Sequence, residues 1–89
     1  MNVKAEDKHI TVCFFASLRE QIGEESLQML TDKQTVTELI DQLAERFPIL
    51  QQWQQKKHLL ITINQKMAKA EDNFQHGDEV AFFPPVTGG

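Results

Sequence analysis

The chain has 89 residues, 40% of them hydrophobic, and its 13 acidic residues outweigh nine basic ones to give a net charge of -4. This length supports one small domain, because a second hydrophobic core could not be filled. The charge has the wrong sign for binding phosphates over a broad surface, so we expect no nucleic-acid partner.

The cysteine content and the hydropathy of the sequence indicate the cellular compartment of the protein. Cys13 is the single cysteine, so no intrachain disulfide can form and the chain is unlike a small disulfide-bonded secreted domain. No run approaches the roughly 18 apolar residues of a membrane span. Residues 1–8 lack the apolar segment of a signal peptide. We therefore predict a cytoplasmic protein without membrane contact, in which residues 1–8 form a disordered leader before a domain over residues 9–83.

The first elements are a strand, a short helix and a second strand. The strand spans His9–Phe15, and its side chains alternate between two faces. One face carries Ile10, Val12 and Phe14, and the other carries Thr11, Cys13 and Phe15. A capping box of Ser17 and Glu20 predicts the start of the short helix, and Gly23 its end. Residues 26–30 read as the second strand.

One long helix is predicted next. Thr35 and Glu38 form a second capping box at its start, and Pro48 ends it. Its apolar face is Val36, Leu39, Ile40, Leu43 and Phe47. Residues 49–58 are ambiguous and fit a further helical turn anchored by Trp53.

The last part of the chain alternates strands and turns. The predicted strands are Leu59–Ile63, Met67–Ala70 and Glu79–Phe83, with turns at Asn64-Gln65 and His76-Gly77-Asp78. Together these elements predict an α+β fold, a mixed sheet of four or five strands with one long helix across one face.

The C-terminal tail concentrates the turn-forming residues. Two of the four glycines and two of the three prolines lie in the last six residues, Pro84, Pro85, Val86, Thr87, Gly88 and Gly89. Paired prolines favour an extended arm, and glycine has no side chain to block a narrow channel. The tail is therefore either a frayed terminus or an arm that presents a reactive carboxylate.

The sequence from His76 to Gly89, with Phe14-Phe15-Ala16 and Arg19-Glu20, resembles the small subunits of molybdopterin synthase. The resemblance implies a ubiquitin-like β-grasp fold and a sulfur carrier function. It implies that the Gly89 carboxylate is adenylated and converted to a thiocarboxylate. That sulfur then forms the dithiolene of molybdopterin from cyclic pyranopterin monophosphate.

The resemblance also implies partners. These are the large catalytic subunit, in a heterotetramer, an adenylating enzyme that uses ATP, and a sulfur donor protein. Residues 84–88 would enter the partner, and the interface residues would be Phe15, Arg19, Met67 and Phe83. We expect no bound cofactor, no metal and no catalytic side chain in this chain.

Several alternatives stay open at this point. The loop from Lys66 to Phe74 could fold over Phe15 and Phe83 instead of leaving them for a partner. Cys13 suits packing better than catalysis, since no cationic run adjoins it. The histidines, His9, His58 and His76, have no metal-ligand spacing. Other possible functions are a thiamin-type sulfur carrier, a ubiquitin-like modifier and a binding module with an inert tail.

Overall fold

The computed structural model describes residues 7–55 and 59–84. In these ranges the elements, in chain order, are β1 (Lys8–Phe14), α1 (Ala16–Ile22), β2 (Ser26–Thr31), α2 (Val36–Ala44), α3 (Ile49–Gln55), β3 (Leu60–Ile63), β4 (Lys66–Ala68) and β5 (Glu79–Phe83).

The strands form one mixed sheet in the order β2-β1-β5-β3-β4. β1 and β5 are parallel, whereas β1–β2, β3–β5 and β3–β4 are antiparallel. The predicted α+β fold with a mixed sheet, the ubiquitin-like β-grasp, is confirmed. β5 lies in the middle of the sheet, hydrogen-bonded on both sides.

The core lies between one face of the sheet and the helices. The predicted helix face is buried through Val36, Leu39, Ile40 and Leu43. It packs against the alternate strand residues Ile10, Val12, Phe14, Ile61, Val80 and Phe82, which are all buried. The alternation predicted for the first strand is therefore confirmed.

The start of α1 differs from the prediction. No side-chain hydrogen bond caps this helix, and the N-cap residue is Phe15 rather than Ser17. The helix begins earlier because the Phe15 carbonyl already accepts from the amides of Leu18 and Arg19, at 3.2 and 3.4 Å. The predicted end is confirmed, with Gly23 in the left-handed conformation at φ 84.

The predicted long helix is shorter than expected. It begins at the Thr35–Glu38 capping box as predicted, but ends at Ala44 rather than Phe47. After Ala44 the amides of Glu45 and Arg46 donate to the carbonyls of Gln42 and Leu43, three residues earlier, and this tighter turn ends the α-helix before Pro48. The Phe47 ring still reaches the core, where it meets the Phe14 ring edge-on at 5.7 Å between centroids. The ambiguous segment after Pro48 contains helix α3.

The predicted edge strand is shifted toward the N-terminus. Residues 69–70 leave the sheet, because the Ala70 carbonyl accepts from the amide and the hydroxyl of Thr37 in α2, at 2.8 and 2.9 Å. The preceding turn is as predicted, with positive φ at Asn64 and Gln65. Such angles are typical of a two-residue hairpin turn.

Candidate functional site at the open face of the sheet

The sheet face opposite the core carries a patch of apolar side chains. The register pairs Cys13 and Thr62 with Ala81, Met67 with Thr62, and Leu60 with Phe83. Residues paired in this way share a face, and that face is opposite to the buried Phe14 and Phe82. We call this surface the open face, comprising Cys13, Phe15, Leu60, Thr62, Met67, Ala81 and Phe83.

Two aromatic rings stack on the open face. The rings of Phe15 and Phe83 are parallel within 4°, with centroids 4.5 Å apart. Phe15 is 39% exposed and Phe83 is half-buried. Two of the predicted interface residues are thus brought into direct contact.

The aromatic stack lies where the tail leaves the sheet. Phe83 is the last residue of β5, and the half-buried Pro84 follows it. The Phe15 amide donates to the Phe82 carbonyl at 3.2 Å, which extends the pairing of β1 with β5 by one residue. Residues 85–89, which contain the rest of the predicted tail, lie outside the described residues.

Met67 and Leu60 add exposed apolar surface beside the stack. Met67, also predicted for the interface, is 71% exposed on the short edge strand β4. Leu60 is 40% exposed opposite Phe83 and was not predicted. Strand alternation counted from the buried Ile61 would have placed it on this face.

Arg19 is the charged member of the predicted set. It lies in α1, one helical turn after Phe15, and its guanidinium is 3.9 Å from the Glu25 carboxylate. The two side chains are 49% and 80% exposed. An ion pair this exposed contributes little to stability, about 0–1 kcal/mol, so Arg19 can exchange this partner for another at small cost.

Comparison with known proteins identifies the family. The sequence model that describes the ThiS protein family matches residues 12–89 of this chain. The chain belongs to this family.

Individual ThiS-like proteins resemble the chain along nearly its whole length. The molybdopterin synthase sulfur carrier subunit of Haemophilus influenzae is 40% identical over 80 residues, covering 90% of this chain and 99% of that protein. The crystal structure of small archaeal modifier protein 1 of Haloferax volcanii is similar to this chain with a TM-score of 0.72. It is 26% identical in sequence and covers 89% of this chain and 99% of that chain. A protein complex of subunits 1 and 2 of the molybdopterin-converting factor from Helicobacter pylori gives 26% identity and a TM-score of 0.59, covering 91% of this chain and 99% of that chain.

The surroundings of the Cys13 side chain disfavour its thiolate form. Burial raises the pKa of Cys13, and the nearby carboxylate of Glu79 raises it further by charge and hydrogen bonding, with a smaller effect of Glu25. A thiol with a raised pKa is a poor nucleophile at neutral pH, because the thiolate is the reactive form. The described surroundings of Cys13 therefore do not activate it as a nucleophile.

The loop after β4 packs on the core side of the sheet. Phe74 is fully buried, and its amide donates to the Gln34 carbonyl beside the start of α2. The Val36 amide donates to the Asp72 carbonyl in the same region. The alternative in which this loop covers Phe15 and Phe83 is therefore wrong.

The structure also bears on the histidines, on metal binding and on membrane spans. The amide of His9 donates to Nδ1 of His76 at 3.0 Å, so these two residues meet although they are far apart in sequence. Within residues 7–55 and 59–84, no three acidic, histidine or cysteine side chains form a group that could hold a metal ion. His58 lies outside these ranges. No helix in the described ranges is long and apolar enough to cross a membrane.

Proposed function

We propose that this chain is the sulfur carrier subunit of a molybdopterin synthase. The observation that carries the proposal is the 40% identity to the Haemophilus influenzae sulfur carrier subunit, which extends over 99% of that protein. The arrangement of the described residues supports it, because an exposed apolar face adjoins the base of a tail ending in Gly88-Gly89. The cytoplasm is the compartment we propose for it.

The reacting group in this proposal is the carboxylate of Gly89. One of its oxygens attacks the α-phosphorus of ATP on the activating enzyme, and pyrophosphate leaves. The terminal sulfur of a persulfide on a donor protein then attacks the acyl carbon, a C–S bond forms, and AMP leaves as the bond between the acyl carbon and its phosphate-bound oxygen breaks. A second thiol attacks the donor's own sulfur in the resulting acyl disulfide, which forms a disulfide with the donor and releases the thiocarboxylate. The chain is a cosubstrate in these steps and supplies no catalytic side chain or bound cofactor.

The open face is the proposed docking surface for the large subunit. Phe15, Leu60, Met67 and Phe83 provide its exposed apolar area, and Arg19 lies at its rim. Apolar area contributes about 25 cal/mol per Å² on burial, and aromatic and Arg side chains often dominate interfaces. Residues 84–88 would extend from this surface into the large subunit, where Gly89 delivers sulfur to cyclic pyranopterin monophosphate. We propose a heterotetramer as the assembled enzyme.

The test combines activation with transfer. The purified chain is incubated with the adenylating enzyme, ATP and a sulfur donor, and its intact mass is measured. We expect one oxygen of the terminus to be replaced by sulfur. Addition of the large subunit and cyclic pyranopterin monophosphate should then return the mass to that of the carboxylate and form the dithiolene. A chain that is never activated under these conditions would contradict the proposal.

A ubiquitin-like modifier is the second candidate, favoured by the resemblance to the H. volcanii small archaeal modifier protein. In that case Gly89 would form isopeptide bonds with lysines of other proteins. The same incubation with added cell extract distinguishes the two, because covalent adducts would appear on a denaturing gel. A thiamin-type carrier would form the thiocarboxylate but would not supply the dithiolene reaction.

A further inference from the structure

The two edges of the sheet are protected to different degrees. β4 forms one edge, is three residues long and begins with Lys66. β2 forms the other edge, is six residues long and contains no charged residue and no proline. Proteins commonly prevent edge-to-edge pairing with short strands, charged residues or proline. β2 therefore lacks the protection that β4 has.

The register of β1 and β2 shows which backbone groups of β2 point outward. Hydrogen-bonded and non-hydrogen-bonded pairs alternate along an antiparallel ladder. The Phe14 amide donates to the Glu25 carbonyl at 2.9 Å, so every second residue after Glu25 also bonds to β1. The amides and carbonyls of the intervening residues, Ser26, Gln28 and Leu30, point away from β1. In the part of the chain that the structure describes, β2 pairs only with β1, so these groups are open to a further strand.

An apolar groove runs beside this edge on the helix side of the sheet. It has a volume of about 410 Å³ and lies between β2 and the end of α2 with the turn that follows. Its apolar lining residues are Leu27, Met29, Leu43 and Phe47. Leu43 is buried and the other three are half-buried. A strand added to β2 would place every second side chain over this groove.

Polar contacts lie at both ends of the groove. At the end of β2, the Thr31 hydroxyl donates to Oε1 of Gln42 in α2 at 2.6 Å. Before the start of β2, the Arg46 guanidinium is 3.8 Å from the Glu24 carboxylate. These contacts limit the groove to about the length of β2, which suits an extended segment.

An acidic hollow adjoins the groove at the Thr31 end. Four of its six lining residues are acidic and one is a lysine. The acidic residues are Asp32, Glu38, Asp41 and Glu45. The hollow shares Gln42 and Glu45 with the apolar groove. Its charge favours a basic segment, whereas Arg46 at the other end of the groove is already paired with Glu24.

Leu30 adds apolar surface on the other side of the same edge. It is 45% exposed, and its pairing with His9 places it on the sheet face opposite the core. It lies at the opposite edge of the sheet from Met67, apart from the exposed apolar residues proposed to contact the large subunit. A strand added to β2 would cover Leu30 with the side chains that do not enter the groove.

We propose that β2 and the groove beside it bind an extended peptide of a partner protein, which joins the sheet as an antiparallel strand. Antiparallel pairing is slightly more stable per residue than parallel pairing, and it places the N-terminal end of the peptide at the acidic hollow. The peptide therefore carries lysine or arginine first, followed by apolar residues at alternate positions that enter the groove. This inference goes beyond the proposed function. Because the groove opens on the helix side, the chain can hold such a peptide while the large subunit covers the open face.

The first test measures amide hydrogen exchange of the isolated chain by NMR. The probe is a synthetic peptide of two lysines followed by isoleucine, threonine, isoleucine, threonine and isoleucine. The amides of Gln28 and Leu30 point outward, so bound peptide should slow their exchange by about tenfold or more. The amides of Leu27 and Met29 already bond to β1 and are the internal control, so their exchange should change little.

The second test compares the affinity of variants for the same peptide. Gln28→Pro removes an outward-pointing donor, and Leu30→Lys places a charge on the edge, so each should weaken binding by about tenfold or more. Thermal melts show whether each variant is folded. Glu45→Lys should weaken binding of the lysine peptide and strengthen binding of a peptide with glutamates in place of the lysines. Met67→Ala is the control at the opposite edge and should bind like the wild type.

Three results would overturn the inference. One is the absence of peptide binding at concentrations up to about 1 mM. Another is binding that leaves the exchange of Gln28 and Leu30 unchanged, or that persists in both Gln28→Pro and Leu30→Lys. The third is self-association of the chain through β2 without peptide binding, because the occupant would then be a second copy. None of these measurements involves sulfur transfer, so failure of the proposed function would be seen separately.

Discussion

Neighbouring phenylalanines in this chain have different roles because strand residues alternate between faces. Phe14 and Phe82 are fully buried and their rings stack at 6.2 Å in the core. Phe15, which directly follows β1, and Phe83, the last residue of β5, stack on the open face. The first pair contributes to folding of the isolated chain, and the second provides surface that a partner can bury.

This difference predicts separate effects of truncation. Phe82→Ala should lower the free energy of unfolding by about 3–5 kcal/mol, because it leaves a cavity in the core. Phe83→Ala should lower it by only about 1 kcal/mol through loss of the exposed ring contact. Denaturant unfolding measures both values.

Binding to the large subunit is measured for the same variants as the complement to their stability. Titration calorimetry with the large subunit should show weakened binding for Phe83→Ala. If Phe83→Ala unfolds as easily as Phe82→Ala and binds normally, the assignment of faces is wrong.

At the residue scale, alternation was sufficient to predict the faces of Phe14, Phe15, Phe82 and Phe83. It did not identify Leu60, because Leu59–Ile63 reads as a continuous apolar run. Such a run suggests burial on both faces, as in a strand covered by helices on both sides. The register, which sets Leu60 opposite Phe83, and the burial of the adjacent Ile61 place its side chain on the open face.

At the element scale, the start of α2 depends on a reciprocal cap. Thr35 Oγ1 accepts from the Glu38 amide, and the Glu38 carboxylate accepts from the Thr35 and Gln34 amides at 3.0 and 3.1 Å. These backbone hydrogen bonds favour the charged form, so they lower the pKa of Glu38. The carboxylate therefore stabilises the fold above its ordinary pKa, and this contribution is lost as pH falls through the lowered value.

Two variants test the cap. Thr35→Ala should lower the free energy of unfolding by about 1 kcal/mol. Glu38→Gln should be less stable than wild type at neutral pH, and this difference should disappear as the solution becomes acidic. Unfolding curves over a pH series give both results. Glu20→Gln is the matched control, because Glu20 is exposed in α1, where no side chain caps the helix; an equal pH effect there would contradict the account.

The buried face of α2 gives a second prediction at this scale. Leu43 is 4% exposed in the last turn of the helix. Leu43→Ala should lower the free energy of unfolding by about 2–5 kcal/mol, through lost apolar burial and the cavity that remains. Chemical denaturation checks this value, with the solvent-exposed Asp41→Ala as the control in the same helix. An unchanged midpoint for Leu43→Ala would show that this residue does not support the core.

The ends of helices were predicted correctly where a short sequence motif determines them. The Thr35–Glu38 box and Gly23 act through neighbouring backbone groups, so their patterns suffice. Ser17 and Glu20 have the same pattern but do not cap, because β5 holds Phe15 and the helix starts directly after it. That contact joins residues far apart in sequence, and no local pattern contains it.

At the scale of the whole molecule, the strand that precedes the tail is the central strand of the sheet. β5 pairs with β1 through four residues and with β3 through four, so the strand before the tail is held on both sides. The open face surrounds its last residue, Phe83. A partner that covers this face would therefore meet the base of the tail, and the proposed reaction at Gly89 would take place inside that partner.

We propose Gly89 as the reacting group of this chain. Its most direct test is the intact mass of three chains after incubation with the adenylating enzyme, ATP and sulfur donor: wild type, a chain without Gly89, and a chain extended by one alanine. The wild-type chain should gain sulfur, and the two altered chains should not, while circular dichroism shows the same fold in all three. A thiocarboxylate on the extended chain at the wild-type level would contradict the account.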